Sequence, residues 1–265
     1  MSSTTSNNKR IAKNTLLLYF RMILTMLVTL YTSRVVLNTL GVEDFGIFNV
    51  VGGIVVMFSF LNSAMSSATQ RFLSFELGQN NKEQFTKVFS MSITIHALIA
   101  LIIFVLAETI GLWFLNTHLV IPADRLVAAN WVYQCSVLSF MVTILSVPYN
   151  ASIIAYERMG AFAYISILEV SLKLLAVFIL QWIMVDKLKL YAVLLLVVAL
   201  IIRLVYGFYC KLKLEGCSYS WVNDKKLFRK MTSYSGWMLF GTCSNMFSTQ
   251  GVNILLNVFF GPIVN

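Results

Sequence analysis

Charge is what this 265-residue sequence has least of. Only 12% of its residues are Asp, Glu, Lys or Arg, where an ordinary soluble domain carries about a quarter, and that argues against a soluble globular enzyme. With 58% hydrophobic residues the chain is too apolar for intrinsic disorder, and three prolines and 13 glycines exclude a collagen-like or low-complexity chain. The four cysteines (Cys135, Cys210, Cys217, Cys243) show neither metal-ligand spacing nor a disulfide framework. No glycine loop of the phosphate-cradling kind and no metal cluster can be read from the sequence, so no cofactor is expected. A cleavable leader is not apparent either. The first apolar run is too long and lacks a small-residue cleavage site, so it is expected to stay as an anchor.

What is present is apolar length. Seven stretches, 15–36, 45–64, 88–114, 127–147, 162–184, 190–210 and 236–260, are each long enough to cross a hydrocarbon layer of about 30 Å. The third is long enough to need tilt. Unbroken runs such as the one from Tyr191 to Ile202 favour helices, since barrel strands would alternate over about ten residues. The loops are short, so a single membrane unit is expected. Residues 70–77 read as a short interfacial helix stopped by Gly78, and Asn81 with Gln84 resembles a capping arrangement. Pro122 with Asp124 suits the first turn of the fourth span. Ala64 with Ala68 and Ala151 with Ala155 suit close helix packing.

Lys and Arg in the connections set the orientation. One side takes Lys9, Arg10, Lys13, Arg71, Lys82, Lys87, Arg158, Lys211, Lys213, Lys225, Lys226, Arg229 and Lys230, thirteen in all. The other takes four: Arg34, Arg125, Lys187 and Lys189. This asymmetry predicts a multi-pass membrane protein with a cytoplasmic N-terminus. It accounts for the basic balance without nucleic acid.

Three cations, Arg21, Lys173 and Arg203, lie inside spans. Arg21 belongs to a stripe with Asn14, Thr25, Thr29 and Thr32 that occupies an arc of about 80° on one helix. The seventh span repeats the device with Thr242, Asn245, Thr249, Asn253 and Asn257. Such faces either line a wet cavity or make interhelical hydrogen bonds. Glu169 and Lys173 lie about 12 and 18 Å deep when counted from residue 161, four apart with Glu first, the favourable order for a pair. They read as a structural pair or as a switchable pair on a pathway, with Glu169 a candidate for ion coupling. Arg203 can snorkel to headgroups. Arg34 falls away from the stripe, close to Glu43 and Asp44, and pairing there or with headgroups is expected. His96 reads as a packed core histidine and Glu108 as reaching the outer interface. Three cations against one deep carboxylate suit an anionic substrate.

Several runs carry a family resemblance: Ala12-Lys-Asn-Thr-Leu-Leu-Leu-Tyr19, Leu30-Tyr-Thr-Ser-Arg-Val-Val-Leu37, Leu40-Gly-Val-Glu-Asp-Phe-Gly46, Ser67-Ala-Thr-Gln-Arg-Phe72, Val147-Pro-Tyr-Asn-Ala151, Ala155-Tyr-Glu-Arg158 and Phe259-Phe-Gly-Pro-Ile-Val-Asn265. Together they resemble bacterial polysaccharide flippases of the multidrug/oligosaccharidyl-lipid/polysaccharide transporter superfamily. The resemblance implies an all-α integral membrane fold with two six-helix lobes, and movement of a polyprenyl-diphosphate-linked oligosaccharide by alternating access. It implies a cationic cavity, to which Arg21, Lys173, Arg203 and Arg34 are the candidate contributors, with Asn14, Thr25, Thr29, Thr32, Asn245, Thr249 and Asn253 as polar lining. The implied partners are the lipid-linked oligosaccharide, membrane lipids, a polysaccharide polymerase and glycosyltransferases.

Members are about twice this long. The chain is therefore expected to be a fragment or truncated product. It would hold a cytoplasmic segment (1–13), the six-helix N-terminal lobe (14–210), a basic connection (211–233) and the first helix of a second lobe (234–265). An ion-coupled multidrug exporter on the same fold is the alternative. A membrane glycosyltransferase or polymerase is a third reading, disfavoured because Glu43, Asp44, His118, Asp124 and Asp186 form no recognisable acid/base arrangement.

Overall fold

The computed structural model describes the backbone of residues 2–56, 59–119, 121–183 and 185–260, and the side chains of 12, 14–53, 55, 61–119, 121–183 and 185–244. Eight α-helices account for almost all of it: α1 (Ser2–Val56), α2 (Ser59–Gly78), α3 (Lys82–Leu106), α4 (Leu112–His118), α5 (Leu126–Ala155), α6 (Met159–Trp182), α7 (Lys187–Lys213) and α8 (Lys225–Phe260). A π-turn, Ala107–Gly111, joins α3 to α4. There is no strand among the described residues. Among the described residues, five stretches are long and apolar enough to cross a membrane: Asn14–Gly53, Lys82–His118, Leu126–Ala155, Met159–Trp182 and Lys187–Lys213. The chain is a multi-pass membrane protein.

Contacts between helices give the direction of each pass. α1 is broken at Gly41, whose φ of 83° and ψ of 169° lie where only glycine is at ease. Before the break it rises with α6, Arg21 meeting Phe162 and Val36 clustering with Val177 and Leu180. After the break the chain returns beside α5, Val51 and Val55 packing with Ala128 and Val132, then Leu73 with Ala151 and Ile153. α3 climbs again, Phe89 lying edge-on to Tyr149 and Ala107 accepting from the Tyr133 hydroxyl at 2.8 Å. α5, α6 and α7 complete six passes, with α7 parallel to α5 (Ala192 beside Val132, Cys210 beside Tyr149). α8 leaves the starting end against α2, where Arg71 and Phe72 meet Tyr234.

Local chemistry sets the helix starts. Asn81 caps α3, its Oδ1 accepting from the Gln84 backbone N–H at 3.0 Å, as the sequence predicts. Asp224 caps α8, accepting from the N–H groups of Lys226 and Leu227 at 2.9 and 3.0 Å. That cap starts α8 at Lys225, so Lys225, Lys226, Arg229 and Lys230 of the basic connection ride on its first turns. The stretch ahead of it is fastened to the bundle. Lys82 pairs with Glu215, the Tyr156 hydroxyl donates to Glu215 O at 2.7 Å, and the Ser220 N–H donates to Ser90 Oγ at 3.1 Å. The neighbouring Lys82 holds the exposed Glu215 carboxyl below the usual carboxylate range.

Four sequence expectations need correction here. Residues 70–77 are not a separate interfacial helix; no breaker precedes Gly78, and buried Leu73 keeps α2 continuous over Ser59–Gly78. Pro122 and Asp124 lie ahead of α5 rather than in its first turn, because Arg125 N–H bonds back to Pro122 O at 2.9 Å and the helix begins at Leu126. Asp44 pairs at 2.6 Å with Arg125, which also reaches Asp186 at 3.7 Å, so of the partners expected for Arg34 the Asp44 carboxylate is taken by another arginine. Glu108 turns inward: the π-turn sets it against α5, where it accepts from Gln134 Nε2 at 3.1 Å and its Oε1 is buried without a partner among the described residues. The alanines and His96 behave as expected. Ala64, Ala68 and Ala151 are buried in packed helix faces, and His96 is buried with Nδ1 at 2.7 Å from Ser92 O.

Candidate functional site

The α1 stripe faces a cavity. Arg21, Thr25, Thr29 and Thr32 line a space of about 360 Å³ together with Ser33, Asn49, Ser166, Glu169 and Lys173. Four residues of one stripe reach it because intervals of four, four and three keep them on one helical face. Arg21 is held by α6: its Nη1 donates to Ser166 Oγ at 3.5 Å, and its guanidinium lies 4.5 Å from the centre of the Phe162 ring. Arg21 Nε, Thr25 Oγ1 and Thr32 Oγ1 are buried and have no partner among the described residues. Unmet donors of this kind call for an acceptor from outside the fold, water or ligand.

A second, larger cavity of about 590 Å³ adjoins the first and shares Glu169 and Lys173 with it. Its remaining polar wall is uncharged: Asn62, Ser63, Ser66 and Ser67 from α2, and Ser139, Thr143, Ser146 and Asn150 from α5. The α5 hydroxyls donate to carbonyls one turn back, Ser139 to Cys135 O, Thr143 to Ser139 O and Ser146 to Val142 O, at 2.7–2.9 Å. Each proton is spent on the helix, so what remains for the cavity is acceptor lone pairs. Asn62 Oδ1 and Asn150 Oδ1 add two buried acceptors without partners among the described residues.

The two spaces differ in charge. The smaller one holds Arg21 as well as the Glu169–Lys173 pair, with threonine hydroxyls beside them. The larger one has no charge besides that shared pair, and its wall is neutral amides and hydroxyls. Lys173 Nζ lies 2.6 Å from Glu169 Oε1, and the two side chains remain 44% and 36% exposed, so the pair stands open to both spaces rather than sealed in packing.

The other candidates lie elsewhere. Arg203 stacks on Tyr149 at 3.9 Å and lines neither space. Arg34 is exposed and Asn14 half-buried, both outside the two linings. Thr242 donates to Met238 O at 2.9 Å, while the side chains of Asn245, Thr249, Asn253 and Asn257 lie outside the described residues. The α2 and α5 walls were missed by sequence reading although the signal was there. Ser139, Thr143, Ser146 and Asn150 follow the same four-and-three spacing that marks α1.

A family model described as polysaccharide biosynthesis protein matches residues 11–264. No curated protein matches the chain. Among solved structures, the chain resembles an outward-facing multidrug resistance MATE family transporter of the MOP superfamily (TM-score 0.78, 12% identity, 96% of this chain and 56% of that one). It also resembles a MATE in the bent conformation (TM-score 0.76, 13% identity, 96% and 57%). A third is a MOP superfamily transporter from Pyrococcus furiosus, for which a reversed polarity of the binding pocket suggests a different function (TM-score 0.76, 12% identity, 96% and 57%). At these identities the likeness establishes the fold alone. The chain spans a little over half the length of each.

Proposed function

The chain belongs to the polysaccharide biosynthesis protein family, and from that premise we propose that it works in translocating a polyprenyl-diphosphate-linked oligosaccharide across the bacterial cytoplasmic membrane. The observation that carries this reading is the meeting, at Lys173, of a space that holds Arg21 and a larger space whose remaining polar wall is neutral amides and hydroxyls. A diphosphate has only acceptors and needs cations and N–H or O–H donors. A glycan presents hydroxyls that both donate and accept, and a wall of neutral amides and hydroxyls meets them in both senses. One molecule that carries both groups in sequence fits both spaces at once, with Arg21 and Lys173 on the diphosphate and the α2 and α5 walls on the sugars. The prenyl tail stays in lipid. Alternating access supplies the movement, and polarised binding rather than bond making is the work asked of these residues.

The thirteen-to-four Lys and Arg asymmetry supports a cytoplasmic N-terminus. A polymerase and glycosyltransferases are the partners this cargo calls for. One observation favours a second reading, an ion-coupled multidrug exporter: Glu169 places a carboxylate in the same spaces, where a cation could compete with Lys173.

The test is made at the chromosomal locus that encodes this chain, with Arg21→Ala and with Lys173→Ala combined with Glu169→Gln so that no lone carboxylate is left. Surface polysaccharide should fall at least tenfold while lipid-linked oligosaccharide accumulates in the inner leaflet. Undiminished surface polysaccharide in both strains sinks the cationic site. Loss of drug resistance on Glu169→Gln, with polysaccharide intact, selects the exporter.

A further inference from the structure

The groove between α2 and α8 has no part in the site described above. It measures about 410 Å³ and is lined by Arg71, Phe72 and Phe75 of α2 and by Lys230, Ser233, Tyr234 and Trp237 of α8. The Arg71 guanidinium lies 4.6 Å from the centre of the Tyr234 ring, and Lys230 Nζ 5.7 Å from that of Phe72. The two rings meet edge to face at 5.5 Å. Two cations are thus propped on aromatic faces with no carboxylate in the lining. Glu76, the acidic residue next along α2, is buried and not part of the groove. Phe75 and Trp237 are 56% and 73% exposed.

Depth identifies the occupant. Arg71 lies seven residues before the end of α2 at Gly78, and Lys230 five residues after the start of α8 at Lys225, about 10 and 8 Å along their axes. In a bilayer of about 40–45 Å with a hydrocarbon core of about 30 Å, the interfacial layer is about 5–8 Å deep. Both cations therefore stand where headgroup phosphates meet acyl chains, and Trp237, twelve residues into α8, extends into the adjoining apolar layer. Cation–π contact leaves the N–H edges of both groups free for an anion. We propose that this groove binds the phosphate headgroup of an anionic glycerophospholipid from the leaflet at the basic end, its acyl chain lying along Trp237. Such lipids are abundant in that leaflet, and two cations without a counter-charge select them over zwitterionic ones.

Trp237 reports on the groove directly. The chain is reconstituted in liposomes with Trp113, Trp131, Trp182 and Trp221 replaced by Phe, and quenching is compared for acyl-brominated phosphatidylglycerol and phosphatidylcholine at equal mole fraction. Preference for the anionic lipid at the groove should reach about fivefold. It should vanish in R71Q/K230Q and persist in K225Q/K226Q, which removes equal charge outside the groove. If R71Q/K230Q fails to fold, R71K/K230R serves instead and should keep the preference. Equal quenching by the two lipids overturns the proposal, as does equal loss in both glutamine variants, which marks bulk surface attraction. Relief of quenching by polyprenyl diphosphate at a small fraction of the phospholipid concentration also overturns it, by assigning the groove to the transported lipid. Failure of the transport reading leaves this result unaffected, since no step of it depends on cargo.

Discussion

Removing one partner of the Glu169–Lys173 pair measures whether the central spaces hold water. The pair lies near the middle of α6 at 2.6 Å, inside a helix long and apolar enough to cross the membrane. In a dry interior, breaking such a pair strands a charge and costs about 3–5 kcal/mol; insertion scales give about 2.5–3.5 kcal/mol for a lone central charge. In contact with water the same loss falls to about 0–1 kcal/mol, because solvent screens the charge that stays behind. More than a third of each side chain is exposed, and the adjoining spaces of about 590 and 360 Å³ are polar and have room for many waters. The wet limit wins. Glu169→Gln and Lys173→Met should each destabilise the protein by about 0.5–1 kcal/mol, and a double-mutant cycle should return a coupling of the same size. Thermal unfolding in lipid nanodiscs reads this as a shift of about 1–4 °C per variant. A loss above about 3 kcal/mol in either single variant refutes the reasoning. It would mean that the pair is sealed, and a sealed lysine cannot be competed for by a phosphate.

Three glycines separate torsional from steric cost, each read by the same unfolding assay. Gly41→Ala meets nothing within 4 Å yet must hold a φ of 83°, so it should cost about 1–3 kcal/mol; Gly46→Ala, with open space and no such torsion, should change stability by less than about 0.5 kcal/mol. At Gly111 an added Cβ falls 2.0 Å from the Tyr133 hydroxyl, which is seated on Ala107 O in the π-turn. Gly111→Ala should therefore cost about 2–4 kcal/mol, and Tyr133→Phe should recover part of that loss; additive losses would show that the hydroxyl does not press on Gly111.

The α1 stripe was legible because it needs only one helix: intervals of four, four and three put Arg21, Thr25, Thr29 and Thr32 on one face wherever that face turns. The α5 wall has the same arithmetic, but its serines and threonine pass for ordinary helix-packing residues until α2 brings Asn62 and Ser66 opposite. Arg125 shows the opposite failure. Its partner Asp44 is 81 residues away, whereas nearness in sequence set Asp44, with Glu43 and the headgroups, among the expected partners of Arg34. Glu108 was placed at the outer interface because nothing in the sequence announces a π-turn, which depends on Tyr133 reaching across from α5.

Composition and run length by themselves determined the class: 12% charge and repeated apolar stretches of twenty residues or more leave no stable form but helices in lipid, since every backbone polar group must be met within its own segment. Which side chains share a cavity, and whether they present protons or lone pairs to it, was decided only by tertiary structure. Those properties depend on how helices from distant parts of the chain lie against one another and on which carbonyl each hydroxyl has already claimed, and a linear pattern carries neither.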